Sequence, residues 1–372
     1  MPSATDATIT NTKAGSGAIH GAYGFRLPAV GQRLVREGLP GLEPRPDQVV
    51  IKVAGCGVCH TDIGFAYDGV LTRHPLPLVL GHEIAGQVVA AGEQVSHWLG
   101  QSVIVPAVIP CGECAACKAG RATICRKQFM PGNDGDGGFA THVAVPGRRL
   151  CPVPATLPEG VTLAALSVVA DAVTTPWEAI RRAQLGAHDV AAFVGVGGIG
   201  GFGVQIAAAF GAAVVAIDVD EERLALAAQH GAALTLQAGK MSEKDLRSAV
   251  RTFAKQSGRS GIGLKIFETS GTTAGQATAF SLLDHGGHLA IVGYSPKAVE
   301  VRLSNLMAFD ATAQGNWGCP PDQYPAALAL VLEGKVALGP YVEEHALDEA
   351  ADVLEAVHSH AIRRRAVLVP GS

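Results

Sequence analysis

The sequence is poor in charged and aromatic residues, and it contains no long apolar run. Charged residues make up 17% and aromatic residues 5% of its 372 positions, and the formal net charge is only -4. This balance offers no basic field for nucleic acid or an anionic membrane surface. No segment approaches the roughly 20 apolar residues that a bilayer span needs. We therefore expect neither a nucleic-acid partner nor a membrane association.

The N-terminus also lacks the features of an export signal. Residues 1–20 have neither a basic start nor an apolar core, so we interpret them as a flexible lead-in rather than a signal peptide. The eight cysteines include a tight cluster, and in a long chain without an export signal such a cluster indicates metal binding rather than a disulfide scaffold. The sequence thus predicts a cytoplasmic protein.

The first half of the chain has the pattern of a mainly β domain. Its length and its hydrophobic content of 48% suit about two globular domains. Short β-branched runs separated by glycine-containing turns predict an antiparallel, barrel-like unit. The predicted strands cover residues 49–54, 84–89, 102–105 and 139–145.

From residue 190 onward, apolar strands alternate with helices, which is typical of a doubly wound parallel sheet. The continuous run 190–194 leads into a G-x-G-x-x-G sequence, formed by Gly195, Val196, Gly197, Gly198, Ile199 and Gly200. In such a turn the first glycine permits the tight bend and the second admits a pyrophosphate. The third lets the helix pack on the strand. The turn predicts a dinucleotide site.

The rest of this region refines the dinucleotide prediction. Asp218 ends the next strand, 213–217, where a carboxylate accepts from a ribose 2′-hydroxyl and repels a 2′-phosphate, so we predict NAD rather than NADP. Further strands are predicted over 264–267 and 289–292. Val292 and Gly293 then lie at the carboxyl edge of the sheet, where ligands bind. We expect a catalytic domain over 1–170, an NAD-binding Rossmann domain over 171–315, and a return to the catalytic domain over 316–372.

Two groups of residues have metal-ligand chemistry. The first extends from Cys56 to Glu83 and places a thiol, Cys59, and an imidazole, His82, near carboxylates; these are ligand types for zinc. The second is a loop of four thiols, which leave no open position on an ion and therefore predict a structural zinc. An iron–sulfur cluster is the alternative. The four thiols are Cys111, Cys114, Cys117 and Cys125.

Together these motifs, in this order, resemble the zinc-dependent alcohol dehydrogenases of the medium-chain dehydrogenase/reductase superfamily. The resemblance implies an α/β fold, with a Rossmann doubly wound parallel sheet inserted in a barrel-like, mainly β catalytic domain. It further implies two zinc ions per chain, one catalytic and one structural. A dimer or tetramer and a small-molecule substrate are also implied.

The resemblance assigns ligands to the catalytic zinc. Cys59 and His82 match two of them, and Glu83 matches a carboxylate beside the ion that exchanges with the substrate oxygen. The third ligand falls on Asp171, in V-V-A-D-A-V-T-T-P, with a helix-capping role as the alternative.

Other positions match the proton path and the cofactor contacts of the family. Thr61 resembles the hydroxyl that takes the alcohol proton, His60 the residue facing the pyrophosphate, and Asp62 an acceptor for a ligand histidine. Two positions depart from the pattern. Gly64 stands where many members have the histidine that ends the proton relay, and Cys319 stands where many have a phosphate-binding arginine.

A narrower resemblance concerns the substrate. The segment 130–145, M-P-G-N-D-G-D-G-G-F-A-T-H-V-A-V, with L-C-P-V at 150–153, is similar to the 6-hydroxycyclohex-1-ene-1-carbonyl-CoA dehydrogenases of aromatic compound degradation. The predicted reaction is therefore oxidation of a secondary alcohol to a ketone, with this CoA thioester as substrate. The alternatives are a simple alcohol or polyol, or a non-catalytic NAD-binding protein with structural zinc.

Overall fold

Three sheets organise the chain. The computed structural model describes residues 18–259 and 263–371. The predicted lead-in falls mostly on residues 1–17, outside the described residues. The described chain enters the fold at once, because Ile19 pairs with Leu42 through an N···O hydrogen bond of 2.9 Å.

The described residues form sixteen strands and ten α-helices, with short 3₁₀ helices between them. The strands are β1 (Tyr23–Leu27), β2 (Val35–Gly38), β3 (Gln48–Gly57), β4 (Leu78–Val79), β5 (Glu83–Ala91), β6 (Ser102–Val105), β7 (His142–Pro146), β8 (Cys151–Pro152), β9 (Val190–Val194), β10 (Ala213–Asp218), β11 (Leu234–Gln237), β12 (Lys265–Glu268), β13 (His288–Ile291), β14 (Thr312–Gly315), β15 (Val342–Ala346) and β16 (Arg365–Val369). The α-helices are α1 (His60–Ala66), α2 (Ala115–Lys118), α3 (Thr174–Arg182), α4 (Gly200–Ala209), α5 (Glu221–Gln229), α6 (Glu243–Gln256), α7 (Thr273–Ser281), α8 (Ser304–Ala308), α9 (Tyr324–Leu332) and α10 (Ala350–His358). Short 3₁₀ helices cover Glu93–Trp98, Ala122–Ile124, Ala165–Ala170, Ala238–Lys240, Pro321–Gln323 and Leu347–Glu349.

The mainly β unit is built on β3. A seven-stranded sheet has the order β15-β16-β3-β5-β6-β8, with β7 also paired to β3, and a second sheet has the order β2-β1-β4. The residues of β3 are almost all buried, which explains why its sequence is a nearly continuous apolar run. The strands predicted over 49–54, 84–89 and 102–105 are confirmed as β3, β5 and β6.

The strand predicted over 139–145 is wrong at its start, since β7 begins only at His142. The preceding backbone has other partners. The Phe139 N–H donates to the Leu80 carbonyl, and the Phe139 carbonyl accepts from Phe25. These bonds tie the two β sheets together, so the ladder with β3 starts three residues later than the apolar pattern indicates.

The second unit is a parallel sheet of six strands in the order β11-β10-β9-β12-β13-β14. Every residue of β9 is buried, as expected for a strand covered by helices on both faces. The order reverses between β9 and β12, and ligands of such sheets bind outside the carboxyl ends of the strands at this switch point. The predicted α/β class and Rossmann-type sheet are confirmed.

The chain then returns to the mainly β unit. β16 pairs antiparallel with β3, with Leu368 opposite Cys56. The C-terminal strand therefore lies beside the strand that leads to Cys59. Among the described residues, none of the helices has the length and apolar character needed to cross a bilayer.

Candidate active site

The first predicted metal group is assembled at the adjoining ends of two strands. β3 runs out just before Cys59, and β5 begins at Glu83, directly after His82. Because the strands are antiparallel and Gly57 is opposite Glu83, both motifs meet at one end of the sheet. Asp171 reaches the same place from the end of the 3₁₀ helix Ala165–Ala170.

The donor atoms have the spacing that one ion requires. Single donor atoms of Cys59, His82, Glu83 and Asp171 all lie within 4.8 Å of one another. The Asp171 Oδ2 atom is 3.6 Å from the Cys59 Sγ atom and 3.7 Å from the His82 Nε2 atom. Zinc bond lengths of about 2.0–2.3 Å place tetrahedral donors roughly 3.3–3.8 Å apart. Both ring nitrogens of His82 are buried without a hydrogen bond, so the group fits a zinc ion.

Asp62 holds the two ligand segments in register. Its Oδ2 atom accepts from the Cys59 N–H at 2.9 Å, and its Oδ1 atom accepts from the Gly81 N–H at 3.1 Å. The same Oδ1 atom is 3.4 Å from the His82 Nδ1 atom. Burial alone would lower the pKa of His82, but the neighbouring carboxylates raise it well above its usual range.

Asp171 faces the metal group rather than capping a helix. Helix α3 has Val173 at its N-cap, with no side-chain capping bond. Instead the Asp171 carboxylate accepts a hydrogen bond from Thr175. Burial would raise its pKa, yet the nearby His82 ring and the Thr175 hydroxyl lower it to about 2. An ionised carboxylate is the form of this side chain that can bind a metal ion.

A buried arginine, which the sequence analysis missed, completes the site. Arg365 is 5% exposed and Glu83 is fully buried. The Arg365 Nε atom donates to Glu83 Oε2 at 3.0 Å, and the Nη2 atom donates to Oε1. Glu83 Oε1 also accepts from the Ala172 N–H at 3.1 Å. Burial raises the pKa of Glu83 while Arg365 lowers it.

Arg365 also links the metal group to the glycine turn. A Cβ atom added to Gly198 would lie 3.5 Å from the Arg365 Cδ atom. His60 is nearby on the same side, and its ring stacks on that of His360 at a centroid distance of 6.2 Å. Partial burial and three basic neighbours lower the pKa of His60 to about 4. The three neighbours are Arg365, His360 and Arg223.

The three motif glycines occupy different environments. Gly195 has φ +89°, a conformation that other residues rarely adopt, and a Cβ on Gly200 would lie 1.9 Å from the Gly195 carbonyl oxygen. A Cβ on Gly197 would meet nothing closer than the Arg223 Nη1 atom, at 3.5 Å. The open surface at Gly197 fits an approaching pyrophosphate.

The remaining predicted cofactor residues line the carboxyl edge of the parallel sheet. Asp218 is buried, and its carboxylate accepts from the Val196 N–H at 2.7 Å and the Asp220 N–H at 3.0 Å. Ile199 is the N-cap of α4. The N–H groups of Val292 and Gly293 both donate to one carbonyl at the end of β12.

The two positions that depart from the family pattern, Gly64 and Cys319, are both packed against other residues. A side chain at Gly64 would begin 3.3 Å from Val70, which covers this part of α1. Cys319 is buried, and its thiol lies 3.6 Å from the Pro320 carbonyl. Burial raises the pKa of this thiol well above its usual range. Thr61 is half-buried, with its Oγ1 atom 3.6 Å from the Cys59 Sγ atom.

The four-thiol loop forms a second group with ion spacing. Four of its Sγ···Sγ distances are 3.5, 3.5, 3.7 and 4.0 Å. Sulfur atoms around one zinc, with bonds of about 2.3 Å, lie roughly 3.8 Å apart. All four donors are within 4.8 Å of one another, which is too close for each thiolate to bind a different iron of a four-iron cluster. The geometry favours a single zinc.

The glycine-rich segment 130–138 packs behind His82. A Cβ on Gly137 would lie 2.3 Å from the Gly81 carbonyl oxygen, and one on Gly132 would lie 2.7 Å from the Gly81 nitrogen. The Gly138 N–H donates to the Gly81 carbonyl at 2.8 Å. This close backbone approach requires glycine, and it gives the segment that suggested a CoA substrate a structural reason for its composition.

Comparison with known proteins yields consistent matches. The profile described as Alcohol dehydrogenase GroES-like domain matches residues 45–155, and that described as Zinc-binding dehydrogenase matches residues 198–333. The L-galactonate-5-dehydrogenase of Escherichia coli K12 is 30% identical over 79% of this chain and 82% of its own length.

Two solved structures extend the comparison. The alcohol dehydrogenase of Aeropyrum pernix superposes with a TM-score of 0.82 at 30% identity, covering 94% of this chain and 100% of its own. A Sinorhizobium meliloti 1021 protein, crystallised with NADP, superposes with a TM-score of 0.80 at 26% identity, covering 94% and 99%.

Fold, metal groups and relatives together define a zinc-binding, NAD(P)-type oxidoreductase. The chain belongs to the zinc-dependent alcohol dehydrogenases of the medium-chain dehydrogenase/reductase superfamily, and it is an enzyme acting on CH–OH groups. This class excludes the non-catalytic alternative.

Two substitutions separate the roles of the motif glycines. Gly197→Ala should leave the melting temperature unchanged, because the new methyl meets no protein atom closer than the Arg223 Nη1 atom, at an ordinary contact distance of 3.5 Å. It should weaken dinucleotide binding by at least about tenfold, because the methyl occupies the surface that the pyrophosphate approaches. Gly200→Ala should lower the melting temperature, because its methyl meets a backbone oxygen. Calorimetric titration and thermal melts measure both effects. Equal loss of stability in the two variants would contradict the assignment.

The two metal groups should respond differently to loss of a thiol. Cys114→Ser should remove one zinc per chain and lower the melting temperature, since a closed thiolate site contributes folding energy. Cys59→Ala should remove the other zinc and leave the melting temperature within a few degrees. Metal analysis after dialysis, with thermal melts, checks this. An unchanged melting temperature for Cys114→Ser would argue against a structural metal.

Proposed function

We propose that the chain oxidises a secondary alcohol to a ketone, with zinc and NAD as its cofactors. The observation that supports this most directly is the meeting of one thiol, one imidazole and two carboxylates beside the glycine turn. Arg365 bonds to Glu83 of this group and lies near Gly198 of the turn. The metal group, which would hold an electrophile, then lies next to the glycine turn, which would bind the hydride acceptor. Alcohol oxidation requires these two sites to be adjacent.

Cys59, His82 and Asp171 would hold the catalytic ion. Zinc supplies Lewis acidity when bound, and it can lower the pKa of an oxygen ligand such as water from about 15.7 to about 7. At about 1.36 kcal/mol per pKa unit this is roughly 12 kcal/mol. General acid–base catalysis contributes about 10²–10⁴-fold, or roughly 3–5 kcal/mol. Three protein ligands leave a fourth position for the substrate oxygen.

Thr61 would take the alcohol proton. Its hydroxyl lies beside the Cys59 thiol, on the first turn of α1. With Gly64 in place of a histidine, the proton leaves by a cofactor ribose hydroxyl or water. Partial burial and basic neighbours lower the pKa of His60 to about 4 and keep it neutral near pH 7. It would therefore donate a hydrogen bond to the pyrophosphate instead of supplying a full charge.

Glu83 would be a reserve ligand held back by Arg365. Its carboxylate belongs to the donor group, yet both oxygens accept hydrogen bonds from Arg365. The Arg365 Nη1 atom would lie 3.7 Å from a Cβ added to Gly198, so the guanidinium is close to the glycine turn. It therefore supplies the positive charge near the pyrophosphate that Cys319 does not.

We propose NAD as the preferred cofactor because of Asp218. Its carboxylate stands at the end of β10, where a 2′-phosphate would meet a negative charge. Arg223 is the opposing influence, since its guanidinium lies over Gly197 and a cation there attracts a phosphate. A structurally similar protein was crystallised with NADP, so the activity of this chain should be measured with both NAD and NADP.

The substrate is best proposed as a secondary alcohol or polyol without CoA. The segment 130–138, which carried the narrower resemblance, contacts the backbone of Gly81. A relative that acts on L-galactonate supports a polyhydroxylated substrate. The 6-hydroxycyclohex-1-ene-1-carbonyl-CoA thioester is kept as a test compound.

A kinetic panel tests the proposed function. Simple secondary alcohols, polyols and cyclic hydroxyacyl-CoA thioesters are each assayed with NAD and with NADP. We expect turnover of a non-CoA alcohol, with kcat/KM higher for NAD, and a loss of more than about 10⁴-fold in His82→Ala, because the metal dominates the barrier. Asp218→Ala should shift the preference toward NADP. Full activity of a zinc-free Cys59→Ala protein would refute the mechanism.

We further propose that the enzyme is a homodimer, or a tetramer built from such dimers, through the edge of the parallel sheet. β14 ends that sheet and is mostly exposed. The N–H groups of Thr312 and Asn316 point to β13, so by alternation that of Ala313 points outward. Large apolar side chains are exposed in the same stretch. They are Tyr294, Leu303, Met307 and Trp317.

A second copy paired across a two-fold axis would extend the sheet and cover these side chains. Light scattering should therefore report at least twice the mass of one chain. The double variant Ala313→Pro, Met307→Glu should be a monomer, while Val35→Glu, on an exposed strand of another sheet, should not. A monomeric wild-type protein would contradict the proposal.

We also propose that the protein is located in the cytoplasm, because a metal loop with four thiols suits a reducing compartment.

A further inference from the structure

The peptide before Asp171 is held by two hydroxyl groups. The Ala170 carbonyl accepts from the Tyr324 hydroxyl at 2.5 Å and from the Thr174 hydroxyl at 3.1 Å. Asp171 itself lies outside regular structure, with φ -141° and ψ -56°. The Asp171 carbonyl, on the far side of the residue, accepts from the Thr175 N–H at 2.8 Å. The two hydroxyl groups hold the peptide on the near side, which joins Ala170 to Asp171.

Tyr324 reaches this peptide from a distant part of the chain. It is the first residue of α9 and is 1% exposed. Its oxygen donates to Ala170 and accepts from the Ala107 N–H at 3.1 Å. One phenol therefore joins α9, the start of the segment that leads to the four-thiol loop, and the end of the 3₁₀ helix before Asp171.

The hydroxyl has a cost that packing alone does not explain. Burying a hydroxyl is unfavourable unless it both donates and accepts a hydrogen bond. A phenylalanine would fill the same apolar space without this cost. Here both bonds are present. Satisfied buried polar contacts of this kind specify one position of the backbone.

The affinity of a metal site depends on where the backbone places each ligand side chain. The Asp171 Oδ2 atom is 3.6 Å from Cys59 Sγ and 3.7 Å from His82 Nε2, close to tetrahedral edges. Loss of a group that orients a metal ligand typically weakens binding by about 10–100-fold. A small rotation of the Ala170–Asp171 peptide is enough to move the carboxylate out of range.

We propose that Tyr324 is a positioning residue for the catalytic metal: its hydroxyl fixes the Ala170 carbonyl and thereby aims the Asp171 carboxylate. The inference rests on the proposed role of Asp171 as a zinc ligand. It assigns no contact between Tyr324 and substrate, cofactor or ion.

The test compares two buried tyrosines in the full-length enzyme. Tyr324→Phe removes the bonded hydroxyl. Tyr341→Phe is the matched control, since Tyr341 is buried and its hydroxyl has no hydrogen bond among the described residues. Zinc affinity is measured by chelator competition, and the cobalt-substituted proteins are compared by visible absorption, which reports ligand geometry.

We expect Tyr324→Phe to keep the metal of the four-thiol loop and to bind the other zinc about 10–100-fold more weakly, with a changed cobalt spectrum. Tyr341→Phe should match the wild type in both measurements. Thr174→Val, which removes the second hydroxyl from the same carbonyl, should weaken zinc several-fold and serves if Tyr324→Phe does not fold.

Unchanged zinc affinity and cobalt spectrum in Tyr324→Phe and Thr174→Val would overturn the inference, even with a lowered melting temperature. Asp171→Ala separates this failure from that of the proposed function. If Asp171→Ala also retains the second zinc with wild-type affinity, the ligand assignment fails. If it loses that zinc while the hydroxyl variants keep it, only the role of Tyr324 fails.

Discussion

In the interior of the protein, the Glu83 carboxylate and the Arg365 guanidinium form a buried ion pair. Glu83 and Arg365 are each at most 5% exposed, and removing either partner of such a pair typically costs about 3–5 kcal/mol. Glu83 follows His82 of the candidate metal group, and Arg365 lies beside Gly198 of the glycine turn. The ion pair therefore links the candidate metal group to β16 and places a guanidinium near the glycine turn.

Around this pair the fold brings together two functions that have different physical demands. A zinc site needs donors from separate segments at fixed spacing, and the paired ends of β3 and β5, with Asp62 between them, supply it. A dinucleotide site needs bare backbone at the edge of a parallel sheet. The break in strand order between β9 and β12 provides that edge.

Local patterns in the sequence predicted much of this arrangement. The apolar strands, the glycine turn and the spacing of Cys111 to Cys125 each depend on residues close together in the chain. The role of Asp171 could be predicted only from the family resemblance, because its partners Cys59 and His82 are distant from it in sequence. Arg365 and Tyr324 were missed, since a buried arginine in a strand and a tyrosine opening a helix carry no local sign of their long-range partners. The early start predicted for β7 failed for the same reason, because Phe139 bonds outside its own ladder.

The pairing of β16 with β3 has a consequence for how the enzyme is made. The two partners of the central ion pair are 282 residues apart in sequence. During synthesis the residues of both candidate metal groups and the whole glycine turn emerge before Arg365 does. Until that strand is released and docks on β3, the carboxylate of Glu83 lacks its counter-charge. Charge balance at the active site is thus acquired only after β16 has paired with β3, which couples the onset of activity to the integrity of this pairing.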